Sequence, residues 1–240
     1  MDLLPTATSP DEAQRAASVA LLPVGSFEQH GDHLPLSTDT LIACLIARRI
    51  ADDYELFLLP PITISCSHEH AHYAGTVSLD ARTVMSIVDD VRGCLARSGV
   101  HRLVLVNAHG GNYVLSNITQ QANIDSPRIV LFPGRMDWDV ARDDAGMATS
   151  TSDDMHAGEL ETSLLLYAYP ELVRDSYLDS DHLANPRPHL LVTGMRGCTA
   201  NGVIGRPFLA TAEKGRAVLD SLAASFTDHL ETLTACSAAE

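Results

Sequence analysis

Continuous apolar runs alternate along this chain with stretches whose apolar residues recur every three or four positions. Residues 18–25, SVALLPVG, form the first run, and a run of this kind that stops at glycine suits a strand buried on both faces. Thr38-Asp39-Thr40 then precede LIACLIARRIADD, in which Ile42, Leu45 and Ile46 share a helical face with Leu41 and Ile50 at its margins. A second short run covers 55–60, and residues 83–97 repeat Val84, Ile87, Val88, Val91 and Leu95 at helical spacing. RLVLV at 102–106 and RIVLF at 128–132 read as third and fourth strands, 156–169 as a further helix and 211–233 as a long C-terminal one. The acidic, Ser/Thr-rich stretch 137–154 and the Gly/Pro-rich stretch 178–207 read as irregular insertions near a site. Alternation of this kind predicts an α/β fold with a parallel sheet covered on both sides, in one domain over residues 1–240.

Composition narrows the function classes. With 45% hydrophobic and 20% charged residues, the chain has ordinary globular usage and not that of a disordered one. Sixteen Lys and Arg against 31 Asp and Glu give a formal charge of −15, which excludes a general nucleic-acid backbone binder. The opening MDLLPTATSPDEAQ has neither a basic segment nor a long apolar one, and no apolar run is long enough to span a bilayer. The cysteines at 44, 66, 94, 198 and 236 form neither a disulfide framework nor a CxxC zinc pattern. A soluble cytoplasmic protein is expected. Histidine is the unusual residue: seven of eleven fall in four short segments rich in Gly, Asp and Glu.

The first segment, Glu28 to His33, follows the first strand, where doubly wound folds place their ligands. In extended backbone Glu28 and His30 point the same way, and Asp39 returns at the start of the next helix. Carboxylates with imidazole suit Zn, Mn or Fe. The second segment, NAHGGN, follows the third strand; His109 is a candidate ligand, and Gly110 and Gly111 allow close backbone approach to a metal or substrate. The third contains His156, Glu159 and Glu161. A helix starting near His156 puts Glu159 on its face and Glu161 about 200° round, so Glu159 is the expected metal carboxylate and Glu161 a structural anchor, with the reverse assignment open. In the fourth, SHEHAHYAGT, alternation aligns His68, His70 and His72 if the segment is a strand, while its Pro and Gly-Thr borders equally suit a loop over substrate. His70 is a candidate substrate or outer contact; His68 and His72 stay undecided.

GSFEQHGDHLPLSTDT, HAHYAGTVSLD, LVLVNAHGGN and HAGELETSLLLYAYPEL, in this order, resemble the creatininase (creatinine amidohydrolase) family over residues 21–212. The resemblance implies a Rossmann-like fold, two divalent metal ions per subunit and a homohexamer. It implies Glu28, His30, Asp39 and His109 as metal ligands, Asp39 as the carboxylate shared by both ions, and His156 as the proton-transfer residue. Creatininases proper carry a glutamate where this chain has Gly111, and Glu159 is the expected replacement. They also hold creatinine with tryptophans, one shortly before the catalytic histidine; here the only tryptophan is Trp138, a candidate substrate contact, and residues 150–154 offer no aromatic. The implied activity is metal-dependent hydrolysis of a C–N bond in a small cyclic amide or formamide other than creatinine. The alternatives are a peptidase trimming a small peptide in cofactor or natural-product maturation and a non-catalytic metal-binding scaffold.

Overall fold

The computed structural model describes residues 3–235, which leaves Cys236 outside the described residues. Four strands, β1 (Val19–Val24), β2 (Phe57–Leu58), β3 (Arg102–Asn107) and β4 (Ile129–Phe132), form an all-parallel sheet in the order β2-β1-β3-β4. Helices α1 (Ser9–Arg15), α2 (Thr38–Tyr54), α3 (Ala81–Arg97), α4 (Tyr113–Ala122), α5 (Arg135–Asp144), α6 (Glu159–Ala168), α7 (Leu190–Thr193) and α8 (Ala212–Thr234) complete the elements, with short 3-10 turns between them.

The core of the sheet is buried on both sides because its strands are apolar at nearly every position, Arg102 and Asn107 at the ends of β3 excepted. Leu21, Val104 and Val106 pack on one face with Ile42 and Ile46 of α2, Leu164 of α6 and Leu222 and Phe226 of α8. The alternate residues, Ala20, Leu22, Leu103 and Leu105, pack on the other face with Val84 and Val88 of α3 and Leu115 and Ile118 of α4. A period of two thus divides each continuous run between two helix layers.

Two features of this frame build a site. The parallel register sets Val24 beside Asn107, so the loops leaving β1 and β3 emerge together at one edge. Gly25 then lets α2 approach: a Cβ there would collide with the backbone of Thr40, so only glycine brings the first turn of α2, with Asp39, against the end of β1.

Several expectations change. The segment 137–154 is not wholly irregular: α5 covers its start, opened by the Asp137 carboxylate, which accepts from the Gly134 N–H at 2.7 Å. Helices α1 and α4 were not expected; α1 buries no residue and α4 only Leu115 and Ile118, so neither writes a strong apolar period. Residues His68–His70 form a 3-10 turn, which ends the strand reading of the His-x-His-x-His segment. Helix α6 begins at Glu159 and not near His156, because Ala157 sits at φ 51° and Gly158 takes the N-cap.

Candidate metal centre

The cluster forms where the β1 and β3 loops meet the start of α2. Glu28, His30, Asp39, His109 and His156 are all buried there. His30 Nε2 lies 3.2 Å from Asp39 Oδ1, and His109 Nδ1 lies 3.1 Å from both Glu28 Oε1 and Asp39 Oδ2. Asp39 is held by the Ser26 hydroxyl, which donates to its Oδ2 at 2.6 Å. The two asparagines of NAHGGN hold the loop itself. Asn107 donates to the His109 carbonyl at 2.8 Å and accepts from Asn112 at 2.9 Å.

The two glutamates of α6 fall opposite to the expectation. Glu161 brings Oε2 to 3.9 Å from His30 Nε2, whereas Glu159 is turned into the protein. There it accepts from the backbone N–H of Ala148 and Thr149, the Thr149 hydroxyl and the Lys214 ammonium. The reason is the late helix start. With Gly158 as N-cap, Glu161 is the third helical residue and reaches back to accept from the Ala157 N–H at 2.6 Å, beside His156. Glycine is a favoured N-cap residue, and a helix start placed after Gly158 puts this carboxylate in the first turn.

Hydrogen bonds assign the protons on the rings. The carbonyls of Glu28 and Gln29 can only accept, so His30 donates through Nδ1 at 3.0 Å and His156 through Nε2 at 2.7 Å. His30 Nε2, facing Asp39 and Glu161, is left to hold a proton or a cation, and His156 Nδ1, 3.9 Å from Glu28 Oε1, keeps a lone pair. Gln29, which the sequence did not single out, accepts from the Gly31 N–H and donates to the Gly202 carbonyl. Its amide orientation therefore makes His70 Nδ1 an acceptor at 2.9 Å and turns His70 Nε2–H toward Glu28 Oε1 at 3.3 Å.

A divalent cation fits this donor set. Both oxygens of Glu28 are buried without a hydrogen-bond partner, and His30 turns Nε2 toward two carboxylates. Three carboxylate–imidazole groups have ligand atoms close enough to hold an ion: Glu28, Asp39 and His109; His30, Asp39 and Glu161; Glu28, His30 and His156. Without an ion the same carboxylates favour a proton on His30, the positive charge that a bound cation would replace. Burial opposes charge on His30, yet Asp39, Glu161 and Glu28 hold its pKa up at about 9. Burial lifts Glu161 to about 7, with Asp39 adding and His30 opposing. Burial, with His30 and His70 nearby, holds His156 well below the ordinary range, and burial with His109 lowers His70 to about 3.

Of the remaining candidates, Gly110 and Trp138 line a cavity of about 240 Å³ with Ile42, Arg142, His156 and Glu161. Gly111 lines a second, of about 360 Å³, with Cys66, Glu69, Tyr113 and Leu190–Gly194. His70 is buried against Glu28, and His68 and His72 are exposed on the turn.

The family model for creatinine amidohydrolase matches residues 5–230 of this chain. The chain belongs to the creatininase family. Among curated relatives, the mycofactocin precursor peptide peptidase of Mycobacterium ulcerans (strain Agy99) is 36% identical over 212 residues, covering 82% of this chain and 78% of that protein. The creatinine amidohydrolase of Pseudomonas putida is 29% identical over 231 residues, covering 87% and 88%. Among solved structures, a mutant creatininase of Zn-Zn type superposes with TM-score 0.78 at 28% identity, covering 94% and 95% of the two chains. A structure titled Creatininase Mn gives 0.76 at 27%, covering 92% and 94%. This creatininase-family chain is a hydrolase acting on C–N bonds, and its four parallel strands and flanking helices match the fold of those neighbours.

Proposed function

We propose that the chain hydrolyses an amide bond in a short peptide at a centre of two divalent ions. One ion would be held by Glu28, Asp39 and His109, the other by His30, Asp39 and Glu161, with Asp39 common to both. The observation that carries this reading is the buried Glu28 carboxylate, without hydrogen-bond partners and faced by ring nitrogens of His70, His109 and His156. Mixed N/O donors suit Zn, Mn or Fe. Bound ions would supply Lewis acidity to the scissile carbonyl and to the attacking water.

The protein's own part is orientation and proton transfer. The Gln29 carbonyl fixes the His156 tautomer, so Nδ1 faces the cluster with its lone pair free. From there Nδ1 takes a proton from the attacking water and delivers it to the leaving nitrogen, a poor leaving group without protonation. Glu159, bonded to Lys214 and Thr149, takes no part and ties the start of α6 to α8.

A peptide is favoured over a small amide by two observations. Gly110 and Gly111, adjacent in one loop, line different cavities, which gives room on both sides of a scissile bond. Relatives named as mycofactocin precursor peptide peptidases also reach 32–36% identity, against 29% for the creatinine amidohydrolase. The small cyclic amide remains the second reading, favoured by the 240 Å³ cavity beside Trp138. Matched panels of short peptides and lactams decide between them: turnover of peptides alone is expected, and turnover of lactams alone refutes it.

We propose a homohexamer as the assembly. The apolar residues of α8, Val218, Leu222 and Phe226 among them, are buried in the chain's own core, so contacts between subunits fall elsewhere. Leu183, Leu191, Val192 and Phe208, all exposed, mark the 178–207 stretch and its border as the candidate surface. Cys44, Cys66, Cys94 and Cys198 are free, in keeping with a cytoplasmic site of action, and among the described residues no helix is long and apolar enough to cross a membrane.

A further inference from the structure

The two nitrogens of His109 face different groups. Nδ1 looks into the cluster, 3.1 Å from Glu28 Oε1 and from Asp39 Oδ2. Nε2 looks out toward the turn His68–His70, 3.4 Å from Glu69 Oε1, and is buried without a hydrogen-bond partner. If Nδ1 is to offer a lone pair to a cation, the ring proton has to sit on Nε2, and a buried N–H needs an acceptor. Glu69 is the carboxylate set opposite it.

We propose that Glu69 is a positioning residue of the metal centre: its carboxylate accepts the Nε2–H of His109 and holds the tautomer that presents Nδ1 to the ion shared with Glu28 and Asp39. The inference rests on the two-ion reading above. An outer carboxylate of this kind fixes the ring of a metal-bound histidine and raises its basicity.

Gly111 supplies the independent support. A Cβ at this position would collide with Glu69 Oε1 and His109 Nε2, and would lie 2.8 Å from Glu69 Cδ. The requirement is for space, and it is met where the carboxylate meets the ring. The segment leading into the turn that carries Glu69 is also tied down: Asn112 Oδ1 of the His109 loop accepts from the Cys66 N–H at 3.2 Å, and Ser78 Oγ, beyond the turn, accepts from the Ser67 N–H at 2.9 Å. Glu69 thus has a fixed place, on an element separate from every residue of the cluster except its neighbour His70.

The test is titration of the metal-free protein with Zn²⁺, and separately with Mn²⁺, in a calorimeter. Glu69→Ala is expected to weaken one of the two binding events by about 10- to 100-fold and to leave the other unchanged. Glu69→Gln, which keeps an acceptor oxygen without the charge, should fall between that variant and the parent. Gly111→Ala, which displaces the carboxylate, should resemble Glu69→Ala, and it decides by the same criterion if Glu69→Ala does not fold. Unchanged affinity for both ions overturns the proposal, and so does equal weakening of both events, which a general structural role would produce. A parent protein that takes up neither ion overturns the two-ion reading itself, a separate result.

Discussion

The opposed placement of Glu159 and Glu161 makes a contrast that two substitutions can measure. In Glu159→Gln the side chain keeps its shape but loses its charge, and one carboxamide face meets donors that it cannot accept. The native carboxylate is fully buried and takes bonds from Ala148 and Thr149 backbone, the Thr149 hydroxyl and Lys214. Removing one partner of a buried ion pair costs about 3–5 kcal/mol. Lys214 retains 22% exposure and a bond to the Leu209 carbonyl, so it keeps part of its solvation, and roughly 2–4 kcal/mol is the expected loss. For a chain of this length each kcal/mol lowers Tm by about 2–4 °C, so the melt should fall by roughly 5–15 °C with the metal content unchanged. Burial opposes ionisation of Glu159, but the bonds from Lys214 and Thr149 hold its pKa below the usual 4.5. A lowered carboxylate pKa stabilises the fold above the unfolded value and ceases to do so as the pH drops through the folded one. The deficit of Glu159→Gln should therefore be full at neutral pH and shrink as the pH falls below about 4.5. Glu161→Gln should do the reverse: it keeps an acceptor for the Ala157 N–H, melts close to the parent and loses one ion of two. Thermal melts by circular dichroism and metal analysis of the purified proteins read both effects. Loss of metal from Glu159→Gln with a full complement in Glu161→Gln would refute the assignment.

Asp39→Ala should strip both ions together, because its two oxygens face His30 and His109 separately; metal analysis showing two ions retained would exclude the shared role. His156→Ala should keep fold and metal while kcat falls about 10²- to 10⁴-fold on a peptide substrate, and a kcat within a few-fold of the parent would remove it from proton transfer. Light scattering at micromolar concentration should give a mass near six chains of 25.8 kDa, and a mass of one chain would refute the assembly.

What the sequence disclosed of the site follows from distance along the chain. Glu28, His30, Asp39 and His109 lie within a few residues of a strand end or a helix start, and local pattern sets those positions. The runs at 18–25 and 102–106 locate the ends of β1 and β3, and a parallel sheet brings such ends to one edge. The misassigned pair shows where local pattern fails. Nothing in the local sequence at His156 reveals that Ala157 turns left-handed before Gly158 caps the helix. With the start three residues later, His156 lies outside the helix, so the one-turn spacing that set Glu159 beside it does not apply and Glu161 is the residue that faces the cluster. Gln29 was illegible for a different reason. Its amide is oriented by the Gly202 carbonyl, 173 residues away, and only that contact makes the His70 Nδ1 an acceptor and turns its other nitrogen toward Glu28. The ligand positions are local and can be read from pattern, as can orienting groups close in sequence such as the Glu28 carbonyl behind His30; those like the Gly202 carbonyl arrive from distant segments, and it is the fold that brings them within reach.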